Sequence, residues 1–141
     1  MATSSALSRT TQKDLLDLAL FTANSTNWAA PSSLWVGICT AAPTDTALNE
    51  ETGTNYVRKQ ITFAVASDAS PAVATGPTST CTFTSAGGNW STISGYILCH
   101  ASTGSTGTSR YVAYGAVSPT VAVTTNDVVE FAAGAISLSF D

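Results

Sequence analysis

Residues 87–104 read GGNWSTISGYILCHASTG, and this stretch shows how the chain is built. A run rich in aromatic and branched residues, SGYILCH, lies between the glycine-containing segment SAGGN and the segment STGSTGTS. Glycine, serine and asparagine are typical of turns, whereas tyrosine and isoleucine suit strands. The stretch therefore predicts a turn, a strand and a second turn.

The same stretch also collects residue types that could perform chemistry. His100, the only histidine of the chain, directly follows Cys99. Because successive side chains of a strand point to opposite faces, Ile97 and Cys99 share one face and Tyr96, Leu98 and His100 share the other. Strand geometry therefore separates the thiol from the imidazole, and Trp90 is expected to anchor the start of the strand.

Alternating strand patterns, separated mostly by turn residues, recur along the chain. They predict eight strands, at 33–39, 56–64, 80–84, 94–100, 110–117, 120–123, 128–133 and 135–141. Both faces of 33–39 are apolar, which indicates an interior strand. Ser118-Pro119 is expected to end a strand, since proline donates no backbone hydrogen bond, and residues 66–78 are expected to form a loop. With no repeat or linker dividing it, the chain predicts a mostly β, single-domain antiparallel sandwich or barrel at residues 10–141.

The first 24 residues follow different patterns. Residues 1–9 are small and polar and predict a flexible N-terminal arm. From Thr10 to about residue 24, apolar residues recur at helical spacing and predict the one α-helix. Its apolar stripe is expected to pack on the edge or open end of a sheet, with a partner's groove as the alternative. We expect neither a signal peptide nor a membrane span, because no sufficiently long apolar segment occurs.

Charge is sparse and slightly acidic. Charged residues make up 10% of the chain and its formal net charge is −4, against about 25% charged residues in typical globular domains. The five basic residues are scattered, which argues against a nucleic-acid partner. Serine and threonine together supply 41 positions, so hydroxyl groups must provide most of the surface's hydrogen bonds to water. Such a surface suits a homo-oligomer whose copies cover one another.

Catalytic and metal-binding patterns are weak. Cys39, Cys81 and Cys99 are too widely spaced for a disulfide framework or a zinc module, and we expect free, mostly buried thiols. His100 is the sole candidate base; Cys39 or Cys81 could approach it as a nucleophile, but the sequence contains no nucleophile elbow.

Acidic candidates are equally weak. Asp127 or Glu130 could orient His100, although nothing in the sequence requires this. Glu50 and Glu51 are adjacent in a loop and are expected to diverge into solvent rather than form a pair of catalytic carboxylates. We therefore predict no catalytic residues, no cofactor and no metal, and a protein that is not an enzyme.

An ordered series of segments resembles a family of small tailed-phage virion proteins. The segments are LLD-x-A-L, LWVGICTAAPTD, NYVRKQITFA, NWSTISGYILCHASTG, YVAYGAV and NDVVEFAAGAISLSFD, which together cover about residues 10–141. Three departures from the family pattern stand out. His100 occupies a place where the family has aspartate, and Asn126-Asp127 replaces a Gly-Asp pair. The segment CTFTSAG replaces a typical apolar strand. The resemblance implies a virion structural protein.

Two positions on the virion remain open. An acidic protein would be repelled by packaged DNA, so the first hypothesis is a capsid decoration or cement protein on the outer head surface. Its expected partner is the major capsid protein, its expected form a homo-oligomer, with a trimer favoured, and its candidate contacts the arm with Arg9 and Lys13. The alternative is a tail-associated or tail-fibre protein, in which exposed aromatic residues and the loops at 43–55 and 102–109 contact other tail subunits or a host receptor.

Overall fold

A computed structural model describes residues 5–7, 34–66, 72–103 and 111–140 of the chain. These segments form nine strands, all paired in antiparallel fashion. The strands are β1 (Ser5–Leu7), β2 (Leu34–Cys39), β3 (Lys59–Ile61), β4 (Ala72–Gly76), β5 (Cys81–Thr84), β6 (Ile93–Cys99), β7 (Tyr111–Val121), β8 (Val128–Phe131) and β9 (Ile136–Phe140). The mostly β, antiparallel class is confirmed. The predicted helix and most of the predicted arm lie outside the described segments; the described part of the arm, residues 5–7, is not free but forms β1 by pairing with β7.

Five strands form the main sheet, in the order β1-β7-β6-β2-β3. β6 lies at its centre, and its side chains serve both faces as the alternation predicts. Tyr96 and Leu98 join the larger apolar core, while Ile97 and Cys99 join a smaller cluster on the opposite face. β2 is an interior strand, as its two apolar faces predict.

The larger core joins the main sheet to two small sheets, β4-β9 and β5-β8. Phe131 of β8 lies between Phe83 and Tyr96, with ring-centroid distances of 6.3 and 5.9 Å and near-perpendicular rings. Edge-to-face packing of this kind adds stability beyond the burial of area. The layers thus pack as in a sandwich, with the small sheets on one face of the main sheet.

Two predictions about strands are wrong: the end of a strand at Ser118-Pro119 and the loop at residues 66–78. β7 continues through Pro119 to Val121, because the pairing with β6 jumps from Gly95–Ala116 to Ile93–Val121 and leaves the proline inside a bulge, where no ladder hydrogen bond is needed. β4 lies inside the segment predicted as a loop. Its small residues carry little strand signal, but pairing with all five residues of β9 supplies its backbone hydrogen bonds.

A third predicted strand, 56–64, is reduced to the three residues of β3. β3 therefore pairs with only the first half of β2. Beyond that point other groups satisfy the edge of β2: the backbone N–H of Glu51 donates to the Ile38 carbonyl at 2.9 Å, and the Ile38 N–H donates to the Tyr56 hydroxyl at 3.2 Å. Glu50, Tyr56 and Arg58 meet at this edge.

Candidate functional site

The most prominent polar cluster consists of Glu50, Tyr56 and Arg58, at the edge of β2. Glu50 pairs with Cys39 in an isolated bridge at the end of β2, and Arg58 directly precedes β3. The long connection from β2 to β3 thus returns along the strand that it left. This return brings the acidic side chain, the phenol and the guanidinium together.

Glu50 and Arg58 form a bidentate ion pair. Arg58 Nε donates to Glu50 Oε1 at 2.7 Å, and an Arg58 terminal nitrogen donates to Glu50 Oε2 at 2.6 Å. The other terminal nitrogen donates to the Ala101 carbonyl at 3.0 Å. The Arg58 side chain is 3% exposed and that of Glu50 15%, so the pair lies almost out of water. The guanidinium therefore ties the β2–β3 connection to the chain that follows β6.

Tyr56 completes the cluster and connects it to the core. Its hydroxyl donates to Glu50 Oε1 at 2.8 Å while accepting the Ile38 N–H. Its ring lies 6.2 Å from the ring of Phe83 and 5.9 Å from that of Trp90, centroid to centroid. Burial, and next the charge of Glu50, raises the pKa of Tyr56, so the phenol stays neutral and remains a donor.

Gly37 provides the space in which the cluster approaches β2. A Cβ at this position would lie 2.7 Å from Glu50 Oε1, 2.8 Å from the Tyr56 hydroxyl and 3.0 Å from Ile97 Cγ1. Contacts this short do not occur for real Cβ atoms without movement of the neighbours. The absence of a side chain at Gly37 is therefore a condition of the observed geometry.

Glu51 is buried separately and holds a turn. One of its oxygens accepts the backbone N–H groups of Thr52 and Gly53 at 2.9 and 2.6 Å, and the other accepts the Ser91 N–H at 3.0 Å. The expectation that Glu50 and Glu51 diverge into solvent is therefore wrong. They do diverge, but into two buried hydrogen-bond systems, because the loop folds back on the sheet and on the segment before β6. Their oxygens are already engaged, which does not favour acid–base chemistry.

Trp90 is buried three residues before β6, and its indole N–H donates to the Thr54 carbonyl at 3.1 Å. The predicted anchoring of this strand by Trp90 is confirmed.

The thiols are protonated at neutral pH. All three cysteines are free and buried, as predicted. Burial raises the pKa of Cys39 and raises that of Cys99 to about 12; it also raises the pKa of Cys81. A thiolate is the reactive form of cysteine. The environment of these thiols thus opposes nucleophilic chemistry.

The structure places the other catalytic candidates, His100, Asp127 and Glu130, in different parts of the fold. His100 is half-buried immediately after β6, while the exposed Glu130 faces Thr82 across β5-β8. The Asp127 carboxylate accepts both the backbone N–H and the hydroxyl of Thr124 at 2.7 Å, and these hydrogen bonds lower its pKa. Within the described segments, no group of three or more His, Cys, Asp or Glu side chains could hold a metal.

A cleft of about 210 Å³ opens above the ion pair. Its lining residues come from the β2–β3 connection and from the chain after β6: Glu50, Glu51, Thr52, Tyr56, Val57, Arg58, Ser102 and Thr103. The structure thus brings the described parts of the two predicted contact loops, 43–55 and 102–109, to one place. Val57 lies within the strand predicted at 56–64 but precedes β3, and its side chain is 56% exposed.

Other sequence-based candidates are not part of this cleft. Arg9 and Lys13 lie outside the described segments. The ion pair is not predicted by the sequence, in which Arg58 lies within the strand predicted at 56–64. One signal was present, since three of the nine acidic residues, Asp45, Glu50 and Glu51, lie in the loop that precedes Arg58.

In the described segments, no helix has the length and apolar character needed to cross a membrane.

Comparison with protein families identifies the family of the chain. The model of a family described as podophage GP4 fiber I protein gp80 matches residues 6–139. Comparison with curated proteins finds no match.

Proposed function

Because the chain belongs to the podophage GP4 fiber I protein gp80 family, we propose that it is a non-enzymatic structural subunit of the fibre of a podophage. The match over residues 6–139 is the observation that carries the proposal. It spans nearly the whole chain, so the family describes the β domain itself. The family is one of phage virion structural proteins, as the resemblance in the sequence implies.

The interior of the protein supports a structural role. Glu51 and Arg58 are the buried charged residues of the described segments and the Glu50 side chain is 15% exposed; each engages neighbouring chain segments rather than presenting a reactive atom. The buried thiols are neutral, for the reason given above. These residues hold long connections onto a β framework, which suits a particle component that must keep its shape.

The fibre assignment takes the place of capsid decoration as the leading hypothesis. The family description names a fibre, and nothing in it names a head surface. Decoration of the outer capsid, binding to the major capsid protein and a trimeric state stay predictions from the sequence. In the fibre assignment the partners are other tail subunits or a host receptor.

Within this proposal, the cleft above the ion pair serves as the contact surface for the host receptor. Its position supports this role, because the two loops suggested by the sequence meet there. Thr52, Ser102 and Thr103 line the cleft together with the exposed Val57, and so do Glu50 and Arg58, which are fixed to each other by hydrogen bonds. Groups that are held in place before binding lower its entropic cost.

Location and copy number in purified virions test the fibre proposal. We expect gold-labelled antibody to mark the tail in electron micrographs. Quantitative mass spectrometry should count roughly a few to tens of copies per particle, as a symmetric appendage requires. The major capsid protein serves as the internal standard. Label over the head with copies in the hundreds would overturn the fibre proposal in favour of decoration.

A further inference from the structure

The outer edge of the main sheet is completed by a strand of only three residues. β1 pairs with β7 in the register Ser5–Gly115, Ala6–Tyr114 and Leu7–Ala113. β7 itself runs over eleven residues. Pro119 lacks an N–H and interrupts its hydrogen bonding, so the usable part of the edge precedes Ser118. β1 therefore fills a short and defined backbone site.

β1 and β2 are placed close together at one end of the sheet. Leu7, Ala113, Leu98 and Val36 are consecutive partners across β1, β7, β6 and β2. Because neighbouring strands alternate in direction, β1 ends at the level where β2 begins. Three strand spacings separate them, which is about 14 Å.

The chain between these strands is much longer than the gap. About five extended residues would span 14 Å, whereas residues 8–33 supply 26. A tether with this excess does not restrict β1 to its own sheet, and the effective concentration of a tethered segment falls as its tether lengthens. With residues 10–24 in the predicted helix and the rest extended, the tether would reach roughly 60 Å, which is enough to reach a neighbouring subunit.

We propose that the β7 edge accepts β1 from a neighbouring copy of the chain in the assembled fibre. This inference rests on the proposed function only in its need for an assembly of copies. The exchanged strand makes the same backbone hydrogen bonds as the intrachain strand, so exchange between identical chains costs little. β1 and β7 contain no charged residue, so no repulsion opposes the pairing. The arm then links the copies by strand exchange.

Mixed cysteine variants test the exchange directly. One chain carries Ala6→Cys and a second chain, with a tag of different length, carries Tyr114→Cys; the two are co-expressed and mildly oxidised. Opposed residues of antiparallel strands have Cα separations that a disulfide can bridge. We expect a disulfide-linked heterodimer on non-reducing gels. Each variant alone, and the parent protein with its three buried cysteines, should remain free of this product.

A chain that carries both substitutions provides the comparison. If it forms only an intrachain disulfide, and the mixture forms no heterodimer, exchange is overturned. Failure of both to cross-link also overturns it, since β1 then does not lie on β7. A matched control uses Thr82→Cys and Glu130→Cys, which are exposed partners across β5 and β8; here only the doubly substituted chain should cross-link, within itself.

Truncation supplies a second measurement that leaves Tyr114 in place. Removal of residues 1–9 should lower the oligomer mass found by light scattering to that of a monomer, with the circular dichroism spectrum of the domain retained. An unchanged mass would contradict the proposal. The fibre assignment is tested independently, by antibody labelling of virions. If the antibody labelled the head and the cysteine variants still formed heterodimers, the fibre assignment would fail and strand exchange would stand.

Discussion

At the scale of single residues, Arg58 is the side chain whose role changes most between sequence and structure. Removing a guanidinium from water costs several kcal/mol, and only good geometry compensates for this cost. Here the compensation comes from both Glu50 oxygens and the Ala101 carbonyl. The hydrogen bonds that Arg58 donates to the Glu50 carboxylate raise the pKa of Arg58, so the guanidinium stays charged.

Replacing Arg58 by methionine should therefore destabilise the fold. The Arg58→Met variant leaves the Glu50 carboxylate nearly buried without its cation, and we expect its free energy of unfolding to fall by about 3 kcal/mol. Urea denaturation followed by tryptophan fluorescence measures the change.

The neighbouring cation provides a matched control. Lys59→Met makes the same chemical change one residue later, without a buried ion pair, and should alter stability by less than about 1 kcal/mol. A double variant, Glu50→Gln with Arg58→Met, should recover part of the loss because no unpaired charge remains. Equal losses in Arg58→Met and Lys59→Met would show that the ion pair does not support the fold.

At the scale of elements, the second half of β2 illustrates how an edge without a partner strand is satisfied. β3 covers only Leu34–Val36 of β2. The next backbone groups are satisfied by a tyrosine hydroxyl and by a loop backbone, and the loop is held by charged side chains. This substitution of side chains for a strand depends on close approach, which Gly37 permits.

A side chain at Gly37 should therefore disturb the whole edge. Glycine-to-alanine changes at compatible positions stabilise proteins by about 0.4–1 kcal/mol. In contrast, we expect Gly37→Ala to lower the free energy of unfolding by about 1–3 kcal/mol, because the added methyl group overpacks against Glu50, Tyr56 and Ile97. Thermal or chemical denaturation tests the sign of the change.

Gly88→Ala is the corresponding control. Its Cβ would lie 3.5 Å from Thr54 Cβ, an ordinary contact, so the variant should be as stable as the parent protein. If Gly37→Ala were equally stable, the cluster would have to tolerate a shift away from β2, and the steric argument would be wrong.

At the scale of the whole molecule, the surface rather than the interior decides what the protein contacts. Five residues of the chain are basic, and of the two in the described segments Arg58 is engaged in the ion pair with Glu50. On the described surface, hydroxyls and a few exposed apolar side chains are therefore the main groups available for contacts with other proteins or with a receptor. Val57 and Val65 are two such side chains, 56% and 96% exposed.

Substitutions at these two valines can distinguish a role of the cleft from a general effect of changing the surface. Val57 lines the cleft and Val65 does not. We expect phage carrying Val57→Glu to adsorb to host cells at least tenfold more slowly, since a charge replaces apolar contact area at the proposed receptor surface, while Val65→Glu phage adsorb normally. Adsorption rates, with incorporation into virions measured in parallel, give the result.

Other outcomes would revise the assignment of the cleft. Normal adsorption of Val57→Glu phage would exclude the cleft as the receptor surface. Loss of Val57→Glu protein from the particle would instead indicate that this surface contacts another virion subunit.

Much of the local structure could be read from the sequence. The alternation in the strand predicted at 94–100 indicates which of the side chains from Tyr96 to Cys99 serve each face, and the two apolar faces of 33–39 predict an interior strand. Gly134, with φ of 74°, lies in the short connection between β8 and β9, where glycine readily adopts a positive φ. These features follow from backbone geometry and the preferences of neighbouring residues, which are local properties.

Tertiary structure alone decided the features that depend on distant partners. β4 exists because β9 pairs with it, and β7 passes Pro119 because β6 tolerates a bulge there. Arg58 is buried because Glu50, eight residues away, and Ala101, forty-three residues away, meet it at the edge of β2. Alternation in one segment specifies which way a side chain points, but the cost of burying a charge is offset only by partners that folding brings from elsewhere.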